Sequence, residues 1–248
     1  MNVSIRCVVL FLSSIAALQA APFENLNFES AQIASAPANY TPGDAFDPIS
    51  AASALPFWTA EEDNTVCTAI WGQPNALDET SVALVNPTSS SQFGGVIQGK
   101  YSVVLTAMPE APPGYFQTAS IFQTGDVPLQ AKSLTFLMQG AYGPAPIVTL
   151  GGTPINLVAL SQNGTVSTMA GDVSAFAGQT LELKFLCQGV SGASPVGESG
   201  FELDNVNFSP VAIPEPSPYA AMIAGTALLG ALILRKRQKQ PVVNQLSS

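Results

Sequence analysis

Alternation of apolar and polar residues at every second position is the dominant pattern in this chain. It is clearest over Thr180–Cys187, where Leu181, Leu183 and Phe185 fall on one face and the residues between them on the other. Side chains point to opposite faces in turn along a β-strand, so this period predicts a half-buried strand. The segment Ser133–Met138 has the same pattern.

Further short segments of this kind occur between the two ends of the chain. The predicted strands are Phe23–Glu29, Val66–Trp71, Ser81–Val85, Tyr101–Thr106, Thr118–Gln123, Ile147–Leu150, Ile155–Leu160 and Phe201–Phe208. Turn formers at Gly125-Asp126 and Asn163-Gly164 are expected to separate strands. About ten short strands and no amphipathic helix of ordinary length predict an all-β, two-sheet antiparallel β-sandwich or jelly roll over residues 21–209.

The last predicted strand contains an irregularity. Phe201 and Leu203 alternate normally, but Val206 and Phe208 continue on the shifted parity. One extra residue at Asp204-Asn205 predicts a β-bulge there, and a bulge re-aims the side chains beside it.

Charge is scarce and strongly negative in the body of the chain. Between the two ends the basic residues are Lys100, Lys132 and Lys184, which face 16 of the 17 acidic residues and leave a net charge of −13. A body this acidic repels phosphate backbones, which argues against nucleic acid as a partner.

The N-terminus has the three parts of a secretory signal peptide. Arg6 precedes an apolar stretch from Cys7 to Leu18, and small residues follow at Ala20-Ala21. This pattern predicts a signal peptide over residues 1–20, removed after Ala20 on export.

The C-terminus predicts a membrane segment. After a linker at residues 210–218, an apolar run over residues 219–234 precedes Arg235-Lys236-Arg237. A 16-residue helix is about 24 Å long, so it spans a bilayer with local thinning and snorkelling of basic side chains. The basic tail, residues 235–248, is expected to stay cytoplasmic with the body on the far side of the membrane.

The motif Pro214-Glu215-Pro216, the short apolar run and the cluster Arg235, Lys236 and Arg237 resemble the PEP-CTERM sorting signal of Gram-negative bacteria. The resemblance covers about the last 35 residues, and the tail after the basic cluster is longer than usual for the family. It implies processing by an exosortase at the inner membrane, with the body first in the periplasm and then at the cell surface or outside the cell. It also implies an association with exopolysaccharide.

The opening segment Asn25-Leu26-Asn27-Phe28-Glu29 and the closing segment Leu203-Asp204-Asn205-Val206-Asn207-Phe208 resemble the first and last strands of galactose-binding-like jelly rolls, which include many carbohydrate-binding modules. That resemblance implies a structural calcium ion where these strands meet. Its carboxylate ligands would be Glu29 and Asp204, with Glu24 as an addition, and calcium prefers such oxygen ligands.

Two cysteines, Cys67 and Cys187, remain in the body once the signal peptide is removed. In an exported domain they either form a disulfide or stay as two separate buried thiols. The choice depends on whether their Cβ atoms approach each other in the fold.

No catalytic constellation is evident in the sequence. The chain has no histidine, which excludes Ser-His-Asp, Cys-His and His-ligated zinc sites. A glycosidase needs only two carboxylates, but the cluster Glu61-Glu62-Asp63 is typical of a solvated turn. We therefore expect a protein that is not an enzyme.

A sugar-binding site would need aromatic platforms near polar groups. Tyr115 and Tyr142, which lie among Gly and Pro, are the candidate platforms, with Tyr40, Trp58 and Trp71 as further aromatics. The sequence thus predicts an exosortase-sorted surface or matrix protein with a non-catalytic β-sandwich. A carbohydrate-binding module for exopolysaccharide is the alternative, followed by a glycosidase.

Overall fold

The computed structural model describes residues 21–33, 47–72, 80–89, 91–109, 117–190 and 199–213. The predicted signal peptide, sorting motif, apolar run and basic tail lie outside these residues. Within them, no helix is both long and apolar enough to cross a membrane.

The described residues are mostly β-strand, as predicted. The strands are β1 (Pro48–Ser50), β2 (Thr59–Glu62), β3 (Thr65–Val66), β4 (Ala69–Trp71), β5 (Ser81–Val85), β6 (Ser102–Ala107), β7 (Thr118–Asp126), β8 (Ser133–Tyr142), β9 (Ile147–Leu150), β10 (Thr153–Pro154), β11 (Leu157–Asn163), β12 (Val166–Asp172), β13 (Thr180–Gln188) and β14 (Ser199–Ser209). One turn of α-helix, α1 (Ala51–Ala54), and a 3₁₀ turn at Ser174–Phe176 complete the described elements.

The strands form two sheets. The larger has the order β1-β4-β5-β6-β14-β8-β12-β11, and the smaller has the order β10-β9-β13-β7-β2-β3. The ladders between named strands are antiparallel apart from β4 with β5, which is parallel and pairs Trp71 with Ala83. The two-sheet β-sandwich is therefore confirmed, with one parallel pair that the sequence did not predict.

The hydrophobic core lies between the two sheets and follows the predicted alternation. Leu183 and Phe185 of β13 face Leu134 and Phe136 of β8, and all four side chains are fully buried. Phe136 and Phe185 meet edge to face with ring centroids 5.2 Å apart. Burying one such aromatic side chain contributes about 1.5–3 kcal/mol, so these inward faces hold the sheets together.

The opening segment is not the strand that its alternation predicted. Asn25 and Phe28 have φ angles of +49° and +57°, which are left-handed conformations that interrupt an extended chain. The segment turns instead, and the Phe28 N–H donates to the Asn25 carbonyl at 3.2 Å. This turn places the Phe28 ring in the core, 5.6 Å from the Trp58 ring.

Of the two predicted turns, one is correct. Asn163-Gly164 begins the tight connection between β11 and β12, and Gly164 has a φ of +61°. Gly125 instead lies inside β7. A Cβ there would stand 2.8 Å from the backbone nitrogen of Phe23, so this glycine allows a close chain approach rather than a turn.

The disulfide considered for Cys67 and Cys187 is not what the structure contains, since both side chains are thiols. Cys187 on β13 lies opposite Ala119 on β7. Cys67 lies beyond the next strand, β2, on the side away from β7, where its N–H donates to the Ala60 carbonyl. Two strands separate the cysteines, and strands lie about 4.8 Å apart, so their Cα atoms exceed the ~7 Å limit for a disulfide. Burial, and then the Glu62 carboxylate, raise the pKa of Cys67 to about 12.

Candidate functional site

A segment of chain covers the outer face of the larger sheet. Residues 91–101, which we call the cover segment, run from after β5 to the start of β6. Phe93 and Val96 of this segment pack on Ala83, Val85 and Val104, forming a second small core. The outer face of β5 and β6 is therefore buried, and it combines the apolar residues Ala83, Val85 and Val104 with the hydroxyl residues Ser81, Ser102 and Thr106.

Glu202 is a carboxylate fully buried beneath the cover segment. It lies on β14 between the core residues Phe201 and Leu203, so it points away from the main core, and its exposed fraction is 0%. Ser102 donates a hydrogen bond to Oε1, and Ser91 of the cover segment donates to Oε2 at 2.6 Å. Burial raises the pKa of Glu202, and the two hydroxyl donors offset part of that rise.

Asp204 lies next along the same face and confirms the predicted bulge. The register between β14 and β8 shifts from Asp204 to Asn207, and Asn205 has a φ of +49°. Asp204 Oδ2 accepts the Gln98 N–H at 2.9 Å, and Oδ1 accepts the Asn205 N–H at 2.6 Å. Burial raises the pKa of Asp204 to about 7, against the lowering effect of these two donors.

Glu29 holds the next residues of the cover segment. Its Oε1 accepts the N–H of Lys100 at 2.7 Å and of Tyr101 at 3.3 Å. Gly99 lies between Gln98, which binds Asp204, and Lys100, which binds Glu29. Its φ is +69°, and a Cβ on it would overlap Glu29 Oε1. Glycine is needed here both for the backbone conformation and for the approach of the carboxylate.

The structure thus brings Glu29 and Asp204 to one loop, as the jelly-roll resemblance implied. The negative charge of Glu29 makes a smaller contribution than burial to the raised pKa of Asp204. Glu24 lies instead against the smaller sheet, where its N–H donates to Gln123 Oε1 at 3.0 Å and its carbonyl accepts from Gln123 Nε2. Among the described residues, no group of three or more His, Cys, Asp and Glu side chains is placed to hold a metal ion.

The cluster Glu61, Glu62 and Asp63 is not the solvated turn that was predicted. Glu61 forms a 2.8 Å ion pair with Lys184, and Glu62 Oε1 accepts the Val82 N–H at 3.0 Å. Asp63 Oδ1 accepts the Thr118 N–H at 2.8 Å. Each carboxylate joins β2 or its turn to another strand, so each has a structural role.

The predicted aromatic platforms do not form a described site. Tyr40 and Tyr115 lie outside the described residues, and the side chain of Tyr142 does as well. Trp58 is buried in the main core, and Trp71 packs on the second core. Neither tryptophan is therefore a surface platform.

Phe57 is an exposed aromatic side chain that the sequence analysis missed. It is 59% exposed and has a φ of +70°, a conformation that bulky residues rarely adopt. Asn25 clamps the loop on both sides of it, because its Nδ2 donates to the Pro56 carbonyl at 3.1 Å and its carbonyl accepts from Trp58 Nε1 at 3.0 Å. The loop holds an aromatic ring in solvent at the cost of backbone strain, which is a feature of binding sites.

Glu202 and the cover segment were also missed. The signal was present, because Glu202 and Asp204 alternate with Phe201 and Leu203 and so share a face. A carboxylate on the outer face of a sheet is ordinarily solvated, and the residues next to Glu202 in sequence do not show that another segment covers it.

The comparisons with known proteins add little to this geometry. No protein-family model and no curated protein sequence matches the chain. Among solved structures, TmCBM61 in complex with β-1,4-galactotriose is 15% identical, with 76% of this chain and 97% of that chain covered and a TM-score of 0.40.

Two larger proteins are similar over part of their length. The enzymatically active domain of tailspike protein 4 from bacteriophage CBA120 is 16% identical, with 62% of this chain and 19% of that chain covered and a TM-score of 0.33. The β-glucosidase from Kluyveromyces marxianus in complex with glucose is 14% identical, with 77% and 20% covered and a TM-score of 0.28. At these TM-scores the likenesses carry no functional argument, so function has to be inferred from the residues of this chain.

Proposed function

We propose that this chain is an exported, non-catalytic β-sandwich protein that an exosortase sorts to the cell surface or the extracellular matrix. The observation that carries the proposal is the tail, in which Pro214-Glu215-Pro216 precedes an apolar run and Arg235-Lys236-Arg237. Its position supports the proposal, because β14 ends at Ser209, five residues before Pro214. In sequence, the motif therefore follows shortly after the last strand of the folded body.

The residues between the body and the motif are suited to processing. The Ser133 hydroxyl donates to the Val211 carbonyl at 2.8 Å, and the Val211 side chain is exposed. Beyond it, two prolines remove backbone donors and favour an extended chain, which a membrane-embedded enzyme can bind. The apolar run and basic cluster would hold this segment at the periplasmic face of the inner membrane.

We predict that the mature surface form ends near Pro216. Intact mass spectrometry of the protein released by a host with an active exosortase should show loss of the residues after the motif. The matched control is the same host without the exosortase, in which the tail is expected to be retained. A full-length tail in the host with active enzyme would contradict the sorting proposal.

A second candidate function is the binding of a neutral carbohydrate, and Phe57 is the observation that favours it. Sugar rings stack on exposed aromatic faces, and a loop that is already fixed loses little entropy on binding. The net charge of −13 for the body would repel anionic polysaccharides, so a neutral glycan is the ligand class that fits.

Replacement of Phe57 by Ala should abolish retention on neutral exopolysaccharide in affinity electrophoresis, by a loss of about tenfold or more in affinity. Leu129→Ala is the matched control, because Leu129 is also an exposed apolar side chain. Equal retention of the two variants would reject Phe57 as the platform. The thermal midpoint of each variant shows whether the fold is intact.

We also propose that calcium binds between Glu29 and Asp204. Two carboxylates that both bind the cover segment fit a cation, because a divalent ion would relieve their mutual repulsion and accept backbone carbonyls as further ligands. At present their oxygens accept the backbone N–H groups of Gln98 and Lys100. The ion would supply structural rigidity to the cover segment.

Calcium at a hundredfold excess over its dissociation constant should stabilise the protein by about 2.7 kcal/mol. The measurement is thermal unfolding in EDTA and then in calcium. Asp204→Ala should remove the calcium-dependent rise, whereas Asp172→Ala should keep it, because Asp172 is an exposed carboxylate on β12. A rise that is the same in both variants would exclude this site.

A further inference from the structure

The four edges of the two sheets differ greatly in length. Three end in strands of two or three residues, namely β1, β3 and β10, and both β1 and β10 contain a proline. The fourth edge is β11, which has seven residues and no proline. Short strands and prolines are the usual protection of sheet edges against pairing with another chain, and β11 lacks both.

Strand β11 is also exposed and uncharged. Its seven residues are Leu157-Val158-Ala159-Leu160-Ser161-Gln162-Asn163, and all but Leu157 are exposed to solvent. Val158 and Leu160 are 45% and 43% exposed, although both are apolar. Among the described residues, the protection that this edge has is a register shift between Ala159 and Ser161, which leaves Leu160 without an opposite residue on β12. Along its outer edge, the strand presents backbone donors and acceptors that the described chain does not pair.

The charge distribution indicates which partner fits this edge. Residues 133–171 contain no Asp, Glu, Lys or Arg, whereas the body as a whole carries −13. When two copies of one strand pair antiparallel about a two-fold axis, residues near the axis meet their own counterparts, so any charge near the centre would meet its own kind. A neutral strand in an acidic protein removes that repulsion. A cationic partner, by contrast, would find no acidic residue on this strand to attract it.

We propose that β11 is a self-association edge, at which two copies of this chain pair antiparallel and join their larger sheets into one. Leu160 stands at the centre of the strand, so in the register that pairs all seven residues it lies closest to its own mate in the partner copy. Pairing satisfies the backbone groups of both edges and removes Val158 and Leu160 from water. An isologous contact of this kind closes after two copies and forms a dimer rather than a fibre.

The test is sedimentation equilibrium of the full chain in detergent, with charge placed at the centre of the strand. We expect the wild-type chain to be a dimer, and Leu160→Lys and Leu160→Glu each to raise the dissociation constant by a factor of about 10 or more, because like charges then meet. An equimolar mixture of the two variants should restore the dimer. Leu129→Lys is the matched control, since Leu129 is 81% exposed and precedes β8, and it should leave the dimer unchanged.

Three results would overturn the proposal. A monomeric wild-type chain excludes the dimer, and a dimer that both Leu160 variants retain places its interface elsewhere, such as in the apolar tail. If the thermal midpoints show that both variants are folded and their mixture still does not restore the dimer, pairing of β11 with itself is excluded.

Discussion

The burial of the Glu202 carboxylate on the outer face of the larger sheet is the constraint on which the rest of this face depends. A buried carboxylate is tolerated only when donors surround it, and here the donors are the hydroxyls of Ser102 on the neighbouring strand and Ser91 on the cover segment. The Ser91 contact fixes the cover segment over β5 and β6, which closes the second core around Phe93 and Val96. Once the segment is fixed, its later backbone N–H groups reach Asp204 and Glu29.

This arrangement joins distant parts of the chain through carboxylates rather than through apolar contacts alone. Glu29 comes from the opening segment, Glu202 and Asp204 from the closing strand, and all three bind residues 91–102 in the middle of the chain. The two ends of the β-sandwich therefore meet at the cover segment. A cation at Glu29 and Asp204 would strengthen the same junction.

The sequence predicted the strands of the sandwich well where a strand is long and has one apolar and one polar face. Thr180–Cys187 alternates over eight residues and lies within β13, and the parity change after Leu203 correctly located a bulge. Strands of two or three residues such as β1 and β10 have too few positions for a period, so they were missed. The opening segment alternates equally well but turns at Asn25, because local periodicity does not report left-handed backbone conformations.

The site was predicted only in part, for a related reason. The jelly-roll resemblance suggested that Glu29 and Asp204 meet, and in the structure both accept backbone N–H groups of the cover segment. Glu202 was overlooked because its cover comes from residues about 100 positions away in sequence, which no local pattern reveals. Phe57 was overlooked because an aromatic residue next to Trp58 is ordinarily assigned to the core, and its exposure depends on the clamp provided by Asn25.

The claim that Glu202 is a buried carboxylate under a fixed cover can be tested by the pH dependence of unfolding. Its pKa in the native state lies above the 4.5 of an ordinary glutamate, so the native state binds this proton more tightly than the unfolded chain does. The native protein therefore loses stability as the pH rises from about 4.5 through the raised pKa. Gln at this position accepts and donates hydrogen bonds of similar geometry without carrying charge.

The measurement is the free energy of unfolding by denaturant in EDTA, from pH 4 to pH 8, for the wild type, Glu202→Gln and the exposed control Asp172→Asn. Glu202→Gln is predicted to be more stable than the wild type at pH 8, and the difference should shrink as the pH falls towards 4. The control should show no such trend over this range, because its hydrogen bonds with Ser174 lower the pKa of Asp172 below 3.8. A difference between Glu202→Gln and the wild type that does not change with pH would contradict the account.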